Sequence, residues 1–420
     1  MKKTKAILML ALALSLLIFI NGCSYFAPNG EFFENPVERE VQLEGTPESV
    51  QEVGEEPAEE AAEPTPPPKP RGKTRLKVSA MGDIMTHGPQ IGAAQQKDGS
   101  YDFRSVFEEV KPYLENSDIV MGNLETTIST PEKGYSGYPR FKAPEELLDG
   151  LEYAGFNVLT TANNHSFDGG EFGVIHTLDK LDEKGFFHTG TARTQEERDQ
   201  VLLIEKNDIK IAVLAYTYGT NGMEAIIDED KRSYMVNYLR DMDLIREDIR
   251  QAREAGAEII IACMHWGYEY HRKPNEDQEK MADELFAAGV DIIFGSHPHM
   301  LQPMERRAMI TDDGEEKEGF VIYSLGNFVS NQRDRYKDSG IIVNVEIVKD
   351  YDQEKVYLGE IEYVPTWVRR YWQNGKNNYA VLPVGKFKEK GLTGEEKQRI
   401  QAVWKETTEL IGTEAFRVIE

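Results

Sequence analysis

Cysteine is almost absent from this chain, which has only two cysteines among its 420 residues. So few cysteines exclude a disulfide framework as the source of stability. Cys263 lies in the apolar run 259–263, where a strand is expected. It is therefore predicted to be a small buried apolar residue rather than a nucleophile.

The chain also has fewer positively than negatively charged residues. The chain has 48 lysines and arginines against 73 aspartates and glutamates, a formal net charge of -25. Nucleic-acid binding needs a basic face that meets the phosphates, so nucleic acid is excluded as a partner. An anionic ligand would be repelled unless a local positive centre received it.

The only long apolar run lies near the N-terminus, and it is short. Lys2, Lys3 and Lys5 precede an apolar stretch at 6–20, which is typical of a signal peptide and too short for a membrane span. The stretch ends in INGC, which resembles the lipobox of bacterial lipoproteins. Residues 1–23 are thus predicted to be a lipoprotein signal peptide that leaves lipidated Cys23 as the anchor, and the alternative is an uncleaved anchor. Both predict an extracytoplasmic protein held at the cytoplasmic membrane.

Residues 24–73 are rich in Glu, Pro and Ala and show neither helical nor alternating periodicity. Such a segment cannot bury enough apolar surface to order itself. It is predicted to be a disordered, extended stalk, and the alternative is a docking motif for a partner.

Short β-rich runs alternate with amphipathic helical segments from residue 74 onward, which predicts a layered α/β domain over 74–370. Gly155, Gly256 and Gly289 each follow a helical pattern, as a glycine that ends a helix would. Two later runs, 341–347 and 356–364, alternate and look antiparallel. A C-terminal extension, 371–420, carries an amphipathic helix from about 393 to 411. The β-rich runs are 76–81, 119–121, 158–161, 209–216, 259–263, 292–294 and 320–324.

Residues able to bind a metal collect where these predicted strands end. In layered α/β folds, ligands bind beyond the carboxyl ends of the strands, so the segments can converge on one pocket. Imidazole and carboxylate together suit Zn, Mn and Fe, which predicts one or two divalent ions. Five of the eight histidines in the chain fall in these motifs: His87, His165, His265, His297 and His299.

The motif carboxylates that lie directly at strand ends are Asp83 and Glu125. A pair of divalent ions about 3.5–4 Å apart needs a bridging carboxylate and neutral donors. Asp83 and Glu125 are therefore the best candidates for terminal ligand and bridge. His297 and His299 flank Pro298, which stiffens the turn and lets both rings face one centre.

The motifs GDIM, GNLE, NNHSFDGG, HWGYEY, GSHPHMLQ and SLGNF follow one another between residues 82 and 328. In this order they resemble the signature of the CapA/PgsA capsule-biosynthesis family, which is similar to the calcineurin-like metallophosphoesterases. The resemblance covers about 75–368. It implies a layered α/β/β/α sandwich of the metallophosphoesterase type and a part in capsule or poly-γ-glutamate synthesis or export.

The resemblance also implies roles for individual residues. His165 would protonate a leaving group or stabilise the transition state without binding metal. Asp168 would either orient His165 or cap the helix that follows it. The implied metal ligands are Asp83, Glu125, Asn164, His265, His297 and His299.

One departure from the phosphoesterase pattern concerns the first metal site. Met85 stands two residues after Asp83, where the pattern has a histidine, and Asn123 and Glu125 stand where aspartates are more common. His87 would either supply the missing ligand or line the pocket. Asn123 would either bind metal or hold its loop by hydrogen bonds.

Four further residues are weaker candidates. Glu269 would either orient His265 or face solvent, and Asn327 would close the pocket. Arg140 and Lys142 are candidates for binding a carboxylate or phosphate of the substrate.

Three functions follow from these residues. The first is a metal-dependent hydrolase or transferase that acts on an anionic envelope polymer or its precursor. The second is a non-catalytic assembly factor that uses metal to hold carboxylates, with membrane synthase or export subunits as partners in either case. The third is a phosphomonoesterase or nucleotidase-like enzyme.

Overall fold

The computed structural model of the protein describes residues 71–389 and 391–420. The predicted signal peptide, Cys23 and residues 24–70 of the predicted stalk lie outside the described residues, and these three assignments remain predictions. Across the described ranges, no helix combines the length and the apolar character that a membrane span requires.

The described residues form seventeen strands. They are β1 Lys73–Ile84, β2 Ile119–Leu124, β3 Thr127–Ser129, β4 Lys142–Pro144, β5 Val158–Thr160, β6 Phe187–Thr189, β7 Leu202–Lys206, β8 Ile209–Thr217, β9 Ile259–His265, β10 Ile292–Ser296, β11 Met304–Ile310, β12 Glu316–Ile322, β13 Asn327–Val329, β14 Ser339–Asp350, β15 Lys355–Gln373, β16 Lys376–Pro383 and β17 Arg417–Val418.

The same residues form ten α-helices and one 3₁₀ turn, Met223–Ile226. The helices are α1 Gly88–Ala94, α2 Arg104–Phe107, α3 Lys111–Leu114, α4 Glu146–Ala154, α5 Gly170–Glu183, α6 Gln195–Arg198, α7 Met242–Glu254, α8 Glu276–Ala287, α9 Val384–Phe387 and α10 Gly394–Ile411.

Two mixed sheets carry most of the strands. The first has the order β16-β15-β14-β1-β2-β5-β6, with β13 paired to β1 and β17 paired to β15. The second has the order β11-β12-β10-β9-β8-β7, and β3 and β4 form a separate short pair. Strands β1, β2 and β5 are mutually parallel, as are β8, β9 and β10.

The two sheets pack face to face because their strands are apolar on both sides. In β9, Ile259 and Ile261 join a buried cluster that also contains Leu76 and Val78 of β1, so this cluster fills the space between the sheets. Ile260 points the other way. Alternation of this kind follows from the twofold period of a strand, and it gives each sheet a second face to cover.

Helices cover both outer faces. On the first sheet, Leu147 of α4 and Val174 of α5 pack in a cluster with strand residues such as Val120. On the second sheet, Ile245 of α7 and Leu285 of α8 pack with Ile260 of β9 and its neighbours. The layers are therefore helix, sheet, sheet and helix, which confirms the predicted α/β/β/α sandwich.

Local signals in the sequence place several element ends. Gly155, Gly256 and Gly289 have φ angles of 102°, 88° and 105°, and each follows a helix, as predicted. The side chain of Asn275 accepts the Gln278 amide at the start of α8 and completes a capping box. Each predicted β-rich run begins within a strand, and the runs at 341–347 and 356–364 pair antiparallel as expected.

The C-terminal part of the chain extends the first sheet. β15 runs through residue 370, β16 pairs with it, and α10 packs against a buried cluster that includes Trp367 and Leu382. The helix predicted from about 393 to 411 is thus confirmed. The division of the chain at 370 remains a prediction.

Candidate metal centre

The predicted ligands come from both sheets. Asp83 lies at the end of β1 and Glu125 directly follows β2, while His265 ends β9 of the second sheet. Asn164 follows β5, and His297 and His299 follow β10. Because the parallel strands of each sheet end at the same edge, these side chains meet there. All six are at most 5% exposed.

Short distances between side chains show this convergence. Asp83 Oδ2 lies 2.9 Å from His299 Nδ1, and Asn164 Oδ1 lies 3.0 Å from His265 Nε2. Glu125 Oε1 is 3.7 Å from His265 Nε2 and 3.8 Å from His299 Nε2. The ring of His297 lies 4.8 Å from that of His265. The structure therefore brings all six predicted ligands into one cluster.

The donor set fits a cation. One atom each from Asp83, Glu125 and His265 lie within 4.8 Å of one another, and all three residues are buried. Glu125 Oε1 and His297 Nδ1 are buried and find no hydrogen-bond partner among the residues described here. Buried polar atoms are usually paired, because an unpaired one costs free energy. A divalent cation would satisfy both atoms.

The pKa shifts of the side chains in the cluster also favour binding of a cation. Burial, followed by the charge of Asp83, raises the pKa of Glu125 well above its ordinary value. Burial also lowers the pKa of His265 well below its ordinary value and that of His297 to about 3. The two histidines are thus neutral near pH 7, which is the state that binds metal. A cation would favour the ionised form of Glu125.

The hydrogen bonds around the histidines fix which nitrogen faces the centre. Burial opposes ionisation of Asp83, but the hydrogen bond and charge of His299, together with hydrogen bonds from Asn123 and Glu125, outweigh it and lower the pKa of Asp83 below its ordinary value. When His299 donates through Nδ1 to Asp83, its Nε2 is left with a free lone pair on the side of Glu125. Both His299 and Asp83 are therefore oriented for one centre.

The turn that carries two of the histidines has unusual backbone angles. His297 has a φ of 95° and His299 a φ of 56°, a region that residues other than glycine rarely adopt. Such angles cost of order 1–3 kcal/mol each and persist where the surroundings hold them. The strain is concentrated at the two rings that face the centre, as expected for a functional turn.

A second pair of side chains lies beside the ligands. His165 Nδ1 is 2.7 Å from Asp168 Oδ2, and both residues are buried. Asp168 Oδ2 also accepts the backbone amide of Phe141. The residue that caps α5 is Gly169, so Asp168 orients His165 rather than capping the helix. With Nδ1 engaged, Nε2 of His165 is the nitrogen available to a substrate.

Two residues with open roles lie at the margin of the ligand cluster. His87 caps α1, its Nδ1 accepts the Asn331 amide at 3.3 Å, and its ring meets the edge of Phe141 at 4.9 Å. These contacts favour a pocket-lining role for His87. Asn123 donates to Asp83 Oδ1 at 2.9 Å and accepts from Asn163 at 3.2 Å, which favours a part in holding the loops together.

Two of the weaker candidates, Asn327 and Glu269, have contacts that do not match their predicted roles. Asn327 is the strand partner of Asp83 between β13 and β1. Its side-chain amide donates to Gln332 and to the Lys337 carbonyl. Glu269 is half-buried, and Nδ1 of His265 is engaged by Ser296, so Glu269 does not orient that ring.

The two predicted substrate-binding residues flank Phe141, whose backbone amide bonds to Asp168. Arg140 is exposed, and the amine of Lys142 donates to the Lys133 carbonyl at 2.9 Å. Their role in binding a substrate remains a prediction. Cys263 packs against the cluster between the sheets, and burial raises the pKa of its thiol to about 12, so it is not an activated nucleophile.

Sequence reasoning missed two residues that contact the ligands. Tyr218 follows β8 and lies with its ring 4.5 Å from that of His297 and parallel to that of His265. Ser296 Oγ lies 2.9 Å from His265 Nδ1. Both are at the carboxyl end of a predicted strand, which was the available signal, but neither side chain is a usual metal ligand.

We expect replacement of Ser296 by alanine to weaken metal binding about tenfold, because the hydroxyl lies 2.9 Å from His265 Nδ1 and, when it accepts the proton of this nitrogen, leaves the Nε2 lone pair for the centre. Metal titration of the purified variant measures this effect. The matched control is Ser79→Ala, since Ser79 is also buried but bonds to Asn344 between strands. Equal metal affinity in the Ser296 variant and the wild type would contradict the positioning role.

Comparisons with known proteins match the part of the chain that carries the motifs. The profile described as "Bacterial capsule synthesis protein PGA_cap" matches residues 77–332. The "Capsule biosynthesis protein CapA" of Bacillus anthracis is 32% identical over 276 residues, 64% of this chain and 63% of that protein, which is less than two thirds of its length. The "PGA biosynthesis protein CapA" of Bacillus subtilis (strain 168) is 30% identical over 297 residues, 69% and 71% of the two chains.

Solved structures give a more distant likeness. The calcineurin-like phosphoesterase YfkN from Bacillus subtilis aligns with a TM-score of 0.40 and 14% identity, covering 80% of this chain and 98% of that one. A phosphatase from Mycoplasma pneumoniae aligns with a TM-score of 0.41 and 15% identity, covering 70% and 93%.

Proposed function

The chain belongs to the family of bacterial capsule synthesis proteins described as PGA_cap, and from this premise we propose that it is a metal-dependent enzyme acting on an anionic capsule polymer or its precursor. Poly-γ-glutamate is the polymer suggested by the name of the Bacillus subtilis relative. The reaction proposed is hydrolysis or transfer at a phosphoester or an amide-like bond.

The observation that supports this function best is that a cluster of metal-binding side chains and a hydrogen-bonded His–Asp pair lie at the same edge of the sheets. One is the buried ligand cluster around Asp83, Glu125 and His265. The other is the buried pair of His165 and Asp168. A metal that served only as an anchor would need the first arrangement alone, whereas bond cleavage also needs a group that transfers a proton.

The roles of the residues follow from this geometry. A divalent ion would supply an activated water and a positive centre for an oxyanion. Asp83, Glu125, Asn164 and the three histidines of the cluster would hold it. Asp168 keeps Nδ1 of His165 occupied, so that Nε2 gives the proton to the leaving group.

The site also explains how so acidic a chain would accept a polyanion. The formal net charge of -25 repels anionic ligands at long range. A divalent ion in the cluster would provide the local positive charge that a carboxylate or phosphate requires. Metal binding is therefore a condition of the proposed function in each of its forms.

We also propose that the domain works outside the cytoplasmic membrane, anchored through lipidated Cys23 and held off the surface by residues 24–73. The support is the composition of the first 73 residues. Membrane synthase or export subunits are the partners that such a position would allow.

A second function, that of a non-catalytic assembly factor, is favoured by one observation. Met85 lies buried two residues after Asp83, where the phosphoesterase pattern has a histidine, so the set of ligands is poorer. In this case the centre would hold carboxylates of the growing polymer without cleaving a bond. A phosphomonoesterase would share the centre but act on small esters.

Metal analysis combined with a substrate screen tests the proposal. We expect a soluble fragment that begins at Arg71 to retain one or two divalent ions per chain and to lose them to a chelator. With Mn or Zn restored, it should act on γ-glutamyl polymers or on phosphoesters. Metal without turnover on any of these would favour the assembly factor, and activity confined to small phosphomonoesters would favour the phosphatase.

A further inference from the structure

The segment that follows β13 carries an arginine held almost entirely by backbone carbonyls. Arg333 donates through Nε to Gln332 O, through Nη1 to Val368 O and through Nη2 to Ser330 O. The side chain is half-buried. Its guanidinium is therefore fixed in place at the edge of the first sheet, against β15.

A second arginine lies beside it. Arg370 is two residues beyond Val368 on β15, its side chain is exposed, and its charge affects the pKa of Arg333. Across the sheet, Arg370 pairs in register with Tyr379 of β16, whose hydroxyl lies 2.6 Å from Asn331 Oδ1. Asn331 and Arg333 are two residues apart. These contacts bring Arg333, Arg370 and Tyr379 into one group. Arg333 and Arg370 are called the arginine pair below.

Neither arginine of this pair has a carboxylate partner within 4 Å in the part of the chain that the structure describes. Asp338 is the nearby acidic residue, but both its oxygens bond to Arg399, and Oδ2 also accepts from Trp367. Burial lowers the pKa of Arg333 below its ordinary value, Asp338 partly offsets the effect, and Arg370 adds to it. Neither guanidinium therefore forms an ion pair, although Asp338 lies near enough to Arg333 to affect its pKa.

This arrangement is unusual for a chain with so large an excess of acid. With 73 acidic residues against 48 basic ones, a carboxylate partner for each arginine would be easy to provide. A partly buried guanidinium without an ion-pair partner, such as that of Arg333, is costly. The cost is offset if an anion binds there.

The arginine pair is linked to the margin of the metal centre through Asn331. The amide of Asn331 donates to His87 Nδ1, and His87 lies at the margin of the ligand cluster. Strand β13, which leads into this segment, pairs with β1 at Asp83. The same segment therefore connects the arginine pair with a metal ligand.

We propose that Arg333 and Arg370, which lie beside Tyr379, form an anion subsite that binds a second carboxylate of a linear polymer whose first anionic group is at the metal centre. This proposal rests on the proposed function. Guanidinium groups bind carboxylates through two parallel hydrogen bonds, so they select planar anions at a fixed position.

The subsite would distinguish a polymer from its monomer. A single small anion can occupy the metal centre or the arginine pair, whereas a chain of regularly spaced carboxylates occupies both at once. Binding at two linked positions raises affinity without any new type of contact. Trp372, 71% exposed and two residues beyond Arg370 on the same face, continues this surface away from the centre.

Binding measurements with oligomers of defined length test the subsite. The full-length chain, purified in detergent and loaded with Mn, would be titrated by calorimetry with γ-linked glutamate oligomers and with free glutamate. We expect the wild type to bind oligomers more tightly than the monomer. Arg370→Gln should lose about tenfold in oligomer affinity, with free-glutamate affinity and metal content unchanged.

A control variant corrects for the change in net charge. Arg246→Gln removes one positive charge from an exposed side chain of α7 on the other sheet, and it should bind oligomers like the wild type. Arg333→Gln should show the same loss as Arg370→Gln. Because Arg333 also holds its loop, Arg370→Gln is the decisive variant, and circular dichroism of both verifies folding.

The outcomes separate the subsite from the proposed function. If Arg370→Gln binds γ-glutamate oligomers as tightly as the wild type, the subsite is wrong and the proposed function stands. If these oligomers do not bind but polyphosphate binds in a manner that depends on Arg370, the subsite stands and the proposed polymer is wrong. If the wild type binds monomer and oligomer equally, a two-point subsite is excluded.

Discussion

Replacement of His165 by alanine is expected to reduce turnover by roughly 10²–10⁴-fold, the usual contribution of a positioned general acid. Metal content should stay at the wild-type level, because His165 contacts Asp168 and the edge of Phe141 rather than the ligand atoms. Steady-state kinetics on the substrate identified by the screen, together with elemental analysis, measures both quantities.

A second histidine provides a matched control for this experiment. His188 on β6 also pairs with a carboxylate, since its Nε2 lies 2.9 Å from Asp182 Oδ1, but this pair is at the surface. His188→Ala should leave turnover unchanged. Asp168→Asn should give an intermediate loss and shift the pH profile of turnover, because His165 would remain but its orientation would be less well fixed.

The result also separates an enzyme from an assembly factor. An assembly factor gives His165 no proton to transfer, so capsule output and polymer binding would not change in the His165 variant. Unchanged capsule output with full metal content would contradict the catalytic role. Loss of metal together with turnover would instead mean that His165 is a ligand.

Replacement of Glu125 by glutamine is expected to abolish stabilisation by metal. In the wild type, a metal present at one hundred times its dissociation constant adds about 2.7 kcal/mol to the free energy of unfolding. Glu125→Gln keeps the shape of the side chain but removes the buried charge that a cation requires, so it should gain less than about 1 kcal/mol under the same conditions. Denaturant unfolding with and without Mn measures the difference.

The pH dependence of the chelator-treated proteins provides a second readout. Because the pKa of Glu125 is raised well above 4.5 in the folded state, the folded protein keeps a proton that the unfolded chain has lost above that pH. The free energy of unfolding therefore decreases as the pH rises above about 4.5, by at most about 1.4 kcal/mol per pH unit. The difference between the wild type and Glu125→Gln isolates this effect from the histidines that both share.

An exposed glutamate serves as control for this variant. Glu205 lies on β7 with its side chain in solvent, so Glu205→Gln should bind metal like the wild type and show the wild-type pH dependence. If Glu125→Gln gained as much stability from metal as the wild type, Glu125 would not be a ligand. The cluster would then have to bind its cation without its bridging carboxylate.

The alternation of β-rich runs with amphipathic helical segments predicted a layered α/β domain, and the family resemblance implied the α/β/β/α sandwich. A strand that is apolar on both faces must be buried on both, as Ile259 and Ile260 are. The ends of helices could also be predicted from a few neighbouring residues. Gly155, for example, reaches a φ of 102° that other residues rarely adopt. Such signals depend on a few neighbouring residues and survive in the sequence alone.

The metal ligands could be proposed because the type of each side chain and its position after a predicted strand are both visible in a short stretch of sequence. Imidazoles and carboxylates at the ends of predicted strands meet once parallel strands align, which is why Asp83, His265 and His299 were found. The same reasoning left Asp168 open between two roles, since only the structure shows Gly169 at the start of α5 and the hydrogen bond to His165.

The sequence by itself determined the kinds of elements, the types of ligand and the acidic balance of the chain, because each is a property of residues close together or of composition. Only the tertiary structure decided which side chains lack a partner. Contacts between distant segments decide that Tyr218 packs on the histidines, that Ser296 contacts His265 and that Arg333 bonds to backbone carbonyls rather than to a carboxylate. Hydrogen bonding and charge pairing are set by distance in space, which sequence separation does not reveal.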